Sequence, residues 1–393
     1  MTAITVPNLL TLMGELIALP SVSSVSPEYD QGNLAVVERL GEWLEALGFA
    51  VELLPLSNRP GKANLIATLG RGPGGLVLAG HTDTVPYDAP LWRHDPLRLT
   101  EANGRLYGLG TSDMKGFFPL VIEAALRFQA KDLAEPLIVL ATADEESSMD
   151  GAKMLVEMGQ PRARYAVIGE PTGLIPIRMH KGILMEGIRL LGRSGHSSDP
   201  SLGISALDGM SRILVELLAW RTELQTHHHN ALFRVPVPTL NLGRIHGGDN
   251  PNRICGMCEL HIDLRPLPGM DLEALRTTLY TRLSAALEGT GLGLEVFPLF
   301  CGTPALETAA DSPLVRVAET LTGAPAEAVA FATEGPYLQQ LGADTIILGP
   351  GDIAQAHQPD EYLALDRIQP TVDLLTNLIG RFCSKRSAQT LAA

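Results

Sequence analysis

Disulfides have little to work with in this chain: its 393 residues carry only Cys255, Cys258, Cys301 and Cys383. Four thiols over that length exclude a cysteine framework and favour a reducing compartment. Basic residues are also scarce, 30 Lys+Arg against 44 Asp+Glu, for a net charge of −14. A phosphate backbone or an anionic lipid surface needs a basic face, so neither nucleic acid nor membrane is an expected partner. No apolar run approaches the ~18 residues of a membrane span. Residues 1–20 hold no Lys or Arg, and Glu15 interrupts their apolar stretch. That segment is not expected to be a signal peptide, and the expected location is the cytoplasm.

The remaining composition is that of a folded chain, with 45% hydrophobic and 19% charged residues, and the length suits two or three domains. The 39 glycines and 28 prolines are dispersed, so they read as many turns rather than a linker. Cys255 and Cys258 form a C-x-x-C, but their surroundings alternate as a strand and no second pair follows. That argues against a redox or zinc role for them. Cys301 and Cys383 read as plain apolar positions.

Residues 7–19 and 32–48 have helical spacing, the second closing at Gly48 as a C-cap would. Short apolar runs follow at 64–69, 75–79, 137–141, 165–168 and 345–348. Each is bounded by Gly, Pro or polar residues, as buried strands are. Helical patterns at 116–130, 150–158, 313–322 and 368–382 lie between or after them. The middle differs: strand 183–191, helix 204–224, strands 239–246 and 254–265, helix 272–287 and strand 292–299. The expected fold is therefore α/β: a mixed, mostly parallel, helix-covered sheet with an inserted ferredoxin-like β-α-β-β-α-β domain. The first domain is expected over 1–180 and 296–393, the insert over 181–295.

Chemistry gathers where strands end. Gly75–Gly80 runs into His81-Thr82-Asp83, the run at 137 into Asp144-Glu145-Glu146, and the run at 165 into Glu170-Pro171-Thr172. The run at 345 leads to Ala356-His357-Gln358-Pro359-Asp360-Glu361, and Asp113 precedes the helical pattern at 116. Taken singly, each has an ordinary reading. His81 is a turn residue, Asp113 an N-cap, Glu145-Glu146 a helix start, Glu170 a loop carboxylate and His357 a solvent-facing side chain. Together they place two His and several carboxylates where α/β sheets bind ligands, the donor set of zinc or a similar divalent ion. The run His227-His228-His229 after the long helix reads as an exposed loop.

These motifs, H-x-D-x-V-P, G-x-G-x-x-D-M-K-G, D-E-E, G-E-P-T and a late His, stand in order over nearly the whole chain. The sequence thereby resembles the co-catalytic zinc aminoacylase and carboxypeptidase family of metallohydrolases. Within it, Asn252-Arg253, 263–270, Ala332-Thr333-Glu334, Gly349-Pro350-Gly351 and 355–362 bring it nearest to the deacetylases of N-acetylornithine. The resemblance implies two divalent metal ions, zinc with cobalt able to substitute. Asp113 would bridge them, His81 and Glu170 completing one site and Glu146 and His357 the other. Asp83 would hold the second nitrogen of His81. Glu145 would be the general base and His196, in the insert, the oxyanion donor. Arg265 would pair with an α-carboxylate or else with Asp263 or Glu259. Asn252, Thr333 and Gly351 would add hydrogen bonds to substrate. The implied activity is hydrolysis of a small N-acyl amino acid by metal-activated water, with a homodimer formed through the inserted lid. Related amidases of succinyl-diaminopimelate, of other acyl amino acids or of small peptides are the alternatives. A binding protein without catalysis is a further one, against which the intact Glu145 speaks, and closed structural zinc sites are richer in Cys than this one.

Overall fold

The computed structural model describes residues 6–57 and 59–385; residues 1–5 and 386–393, the ends of the expected first domain, and residue 58 lie outside them. The chain forms two compact units. The first is drawn from Met1–Arg178, Thr308–Glu327 and Thr333–Ala393, the second from Met179–Glu307 and Ala328–Ala332.

In the first unit the strands lie side by side in the order Ala50–Pro55, Ala63–Leu69, Leu137–Thr142, Leu76–His81, Tyr165–Pro171 and Asp344–Gly349. The last four pair in parallel, and Ala63–Leu69 pairs antiparallel with both of its neighbours. Every residue of Leu76–His81 and Leu137–Thr142 is buried, which is why these segments read as continuous apolar runs. Successive side chains take opposite faces. Leu76, Leu78, Leu137 and Val139 join Leu12, Trp43, Phe118 and Leu375 on one side. Val77, Ala79, Ile138 and Leu140 join Leu155 and Leu338 on the other. The helices Leu9–Ala18, Leu34–Ala46, Phe117–Ala125, Pro313–Thr322 and Ile368–Cys383 thus cover one face, and Asp150–Met158 and Gly335–Gln340 the other.

The helix expected over 116–130 stops at Ala125. Beyond it Leu126 is exposed, and among residues 127–132 only Phe128 packs against the core. A small sheet of Thr100–Ala102, Arg105–Tyr107 and Tyr362–Ala364 was not expected, because three-residue strands are too short to show a period.

The second unit is an antiparallel sheet in the order Thr239–Gly247, Met257–Arg265, Ile183–Leu191, Gly293–Thr303. Its helices Ala206–His227 and Leu272–Ala286 share one core with Ile188, Leu190, Leu260, Ile262 and Leu264. Ser205 and Asp271 cap these helices through hydrogen bonds from Asp208 N–H and Ala274 N–H. This is the β-α-β-β-α-β order read from the sequence. The strand expected from 254 begins at Met257, because the Cys255 carbonyl accepts the Ala206 N–H and Ile254 N–H donates to Gly195. Cys255, Cys258 and Cys383 are buried, whereas Cys301 is exposed, contrary to its expected apolar position. His227, His228 and His229 are exposed, His227 closing the helix. No helix among the described residues is long and apolar enough to cross a membrane.

Candidate metal centre

Parallel strands present their carboxyl ends at one edge of the first unit's sheet. His81 ends its strand beside Thr142 in register, Glu145 and Glu146 follow two and three residues after Ala143, and Glu170 is the last residue but one of the next strand over. Asp113 comes from the loop before Phe117–Ala125 and His357 from the loop after Asp344–Gly349.

Asp113 is the hub. Its Oδ1 lies 3.0 Å from His81 Nε2 and its Oδ2 3.5 Å from His357 Nε2. His81 Nε2 is also 3.6 Å from Glu170 Oε1, and His357 Nε2 is 3.0 Å from Glu146 Oε1. One carboxylate therefore faces two imidazoles, and each imidazole faces a second carboxylate of its own. Donor atoms of His81, Asp113 and Glu146 all lie within 4.8 Å of one another, as do those of His81, Glu145 and Glu170. Oxygen-rich sets with two imidazoles suit zinc or a similar divalent ion.

The electrostatics ask for such a charge. Burial, then the Asp113 carboxylate, pushes Glu170 well above the usual carboxylate range. Burial, then Glu170, does the same to Glu145. Burial disfavours a charged His81, yet Glu170 and the Asp113 hydrogen bond raise it well above its ordinary value. The Glu146 hydrogen bond lifts His357 to about 8. Crowded carboxylates that hold each other's protons are the signature of a site completed by a cation.

His81 Nδ1 donates to the Asp83 backbone carbonyl at 2.9 Å, which leaves Nε2 as the donor atom facing Asp113. The expectation that the Asp83 side chain takes this role differs from what is seen. Asp83 Oδ1 stands 3.8 Å from Nδ1, and Oδ2 accepts the Glu146 N–H at 3.0 Å. The chain turn at 81–83 brings the carbonyl closer than its own carboxylate, and the carboxylate holds the Glu146 backbone instead. Burial raises its pKa to about 6.

Other groups brace the centre without having been singled out in the sequence. Asp144, at φ +62, is buried and accepts from Lys62 and, at 2.7 Å, from Ser23 Oγ. It fixes the turn that delivers Glu145 and Glu146. Glu361 is buried under the Asp113 loop, and burial lifts it to about 8. Lys115 is buried with Nζ on the Leu19 carbonyl at 2.9 Å, and burial lowers it to about 8. Glu334 accepts from Thr142 Oγ1 at 2.8 Å. The only hint was that Glu361 and Glu334 sit inside polar motifs without a ligand role. Their partners lie 192 to 251 residues away, beyond any local pattern.

Of the four expected substrate contacts, two fall in each unit. Thr333 Oγ1, buried, accepts the Gly335 N–H at 3.1 Å. A Cβ on Gly351 would come 2.3 Å from Ser112 Oγ, so this glycine lets its loop pass under the Asp113 loop. Arg265 and Asn252 belong to the second unit, as does His196. Arg265 Nε donates to both Asp263 oxygens at 2.9 and 3.1 Å, the salt-bridge alternative. Ser197 N–H donates to the Asn252 carbonyl at 3.0 Å, joining the His196 and Asn252 loops. Ser198 N–H donates to His196 Nδ1 at 3.2 Å. In the neutral ring the proton then sits on Nε2, a donor on an exposed side chain.

Residues 77–381 match the model of peptidase family M20/M25/M40. The chain is 48% identical over 379 residues to the acetylornithine deacetylase of Pasteurella multocida, covering 96% of this chain and 99% of that protein. The acetylornithine deacetylase of Vibrio vulnificus is 48% identical over 377 residues, with 96% and 99% covered. Among solved structures, aminopeptidase PepT from Bacillus cereus superposes with a TM-score of 0.74 at 19% identity, covering 96% of this chain and 98% of its own. The M20 metallo-carboxypeptidase Sso-CP2 from Sulfolobus solfataricus gives 0.74 at 17%, with 95% and 98% covered. At those identities the two structures speak for the fold alone. A family model spanning most of the sequence, and relatives matched almost end to end, bear out the motif resemblance: the chain belongs to peptidase family M20/M25/M40.

Proposed function

We propose that this chain is a metal-dependent amidase that hydrolyses N-acetyl-L-ornithine to L-ornithine and acetate, a step of arginine biosynthesis. The observation that carries the mechanism is Asp113 set between His81 and His357, each with its own second carboxylate. The substrate rests on the near-full-length relatives that bear this activity in their names. His81, Asp113 and Glu170 would hold one divalent ion, and Asp113, Glu146 and His357 the other, zinc in both, with cobalt able to substitute. Such ions, when bound, lower the pKa of water and polarise a carbonyl.

The chain's own residues handle the protons. Glu145 takes a proton from the attacking water and delivers it to the leaving amine as the C–N bond breaks. Asp83 keeps Glu146 in place through its N–H and turns His81 through its carbonyl. His196 offers its Nε2–H to the oxygen that becomes negative. Arg265 is assigned to the substrate α-carboxylate, sharing its guanidinium with Asp263. Asn252, Thr333 and Gly351 are assigned the remaining substrate hydrogen bonds. In this reading residues 1–180 and 296–393 form the catalytic domain, and 181–295 a lid through which a cytoplasmic homodimer assembles.

The test is kcat/KM at fixed zinc for N-acetyl, N-formyl and N-succinyl derivatives of ornithine, methionine, glutamate and diaminopimelate. N-acetyl-L-ornithine is expected to lead, with neighbours differing only by apolar contacts trailing by roughly 10–200-fold. A preference for succinyl-diaminopimelate or for neutral acyl amino acids would overturn the substrate and leave the amidase. No hydrolysis of any panel member would favour a binding protein.

A further inference from the structure

Glu361 lies four residues beyond His357 in the same loop, and its carboxylate is committed to the loop that carries Asp113. Oε1 accepts the Ser112 N–H at 2.7 Å and the Asp113 N–H at 2.9 Å, and Oε2 accepts the Gly110 N–H at 3.0 Å. Its backbone carbonyl accepts the Gly108 N–H at 3.1 Å. The side chain is 1% exposed, so these N–H groups have no access to bulk water as an alternative. Convergent backbone N–H groups make a concave site for acceptor oxygens, and here the acceptor is supplied by the chain itself.

The Asp113 loop needs such a brace. It contains Gly108, Gly110 and Gly116, with Gly110 at φ +86, so little stiffness is intrinsic to it. Yet Asp113 must aim one oxygen at His81 and the other at His357, and a small rotation of its backbone would withdraw one of them. The Glu361 segment is itself anchored from its other side. Asp360 accepts the Arg93 N–H at 2.8 Å and Arg93 Nε at 2.7 Å. The same short segment thus fixes the backbone of Asp113 and limits the reach of His357, whose side chain is 53% exposed.

We propose that Glu361 is a positioning residue for both ion sites, acting through the Asp113 backbone and the His357 loop. This rests on the two-metal reading above. A carboxylate with a merely structural role would lower stability and leave metal affinity alone, so affinity is the readout that separates them.

Zinc affinity is measured by chelator competition on metal-free, folded protein for the parent, Glu361→Gln, Glu361→Asp and Leu378→Ala. Glutamine is nearly isosteric but turns an NH2 toward the Gly110 N–H, so two donors meet. Both zinc affinities are expected to fall about 10–100-fold, as when a residue that orients a metal ligand is removed. Leu378, in the core of the first unit, is the stability control. Its alanine variant is expected to unfold more readily and keep the parent's affinity. Parental affinity in Glu361→Gln overturns the proposal, as does an equal loss in Leu378→Ala. If Glu361→Gln does not fold, Glu361→Asp decides, being one methylene too short to reach all three N–H groups. A loss of affinity supports the proposal and parental affinity overturns it. A parent that binds no zinc ends the metal reading itself, and this inference with it.

Discussion

Glu145→Gln is expected to retain its zinc and lose most of its turnover, by roughly 10²–10⁴-fold in kcat. Glu145 stands next to Glu146, in the turn that Asp144 pins by its bonds to Lys62 and Ser23. Its carboxyl is lifted by burial and by Glu170. A cation nearby would lower it again, leaving a base able to cycle its proton within one turnover. The amide keeps the shape and cannot accept that proton. The variant also decides a structural ambiguity, because the donors of His81, Glu145 and Glu170 lie close enough to hold an ion together. If Glu145 were a permanent ligand, zinc affinity would fall along with kcat. Metal content by elemental analysis, set beside steady-state rates, separates a base from a ligand.

Asp113→Ala is expected to have the other large effect, and of a different kind. Asp113 faces both His81 and His357, at 3.0 and 3.5 Å. Its removal leaves His81 Nε2 facing Glu170 and His357 Nε2 facing Glu146, with no carboxylate between the two imidazoles. Zinc content should drop below one equivalent at concentrations that saturate the parent, and activity should fall at least as far as in Glu145→Gln. The two variants are told apart by rescue. Excess zinc should restore part of the Asp113→Ala rate and none of the Glu145→Gln rate. A variant holding two equivalents with parental rate would remove Asp113 from the centre.

The elements that deliver these residues were legible because burial on both faces leaves a local trace. Leu76–Ala79 and Leu137–Ala141 are unbroken apolar runs, and His81 and Glu145-Glu146 follow each within a few residues. The alternation of Cys258, Leu260, Ile262 and Leu264 likewise reports a half-buried strand. Contacts made across long sequence separations left no such trace. Glu361 meets backbone N–H groups some 250 residues away, and nothing near 361 encodes which distant donors it will meet. Lys62 and Asp144 are equally remote, at a separation of 82. Asp83 shows a subtler limit. Its motif indicates contact with His81, but whether the carbonyl or the carboxylate makes it depends on the turn, which residue types do not specify. Thr333 and Gly351 read as binding positions because small polar and glycine-rich segments serve both ligands and tight packing.

The central claim is that paired ions at the Asp113 hub make this chain an amidase. The most direct measurement strips the protein with a chelator, returns zinc stepwise and follows acetate release from N-acetyl-L-ornithine at each step. Release is expected to be negligible without metal and to rise until it levels off near two zinc ions per chain. Full deacetylation by protein shown to be free of metal would contradict that claim.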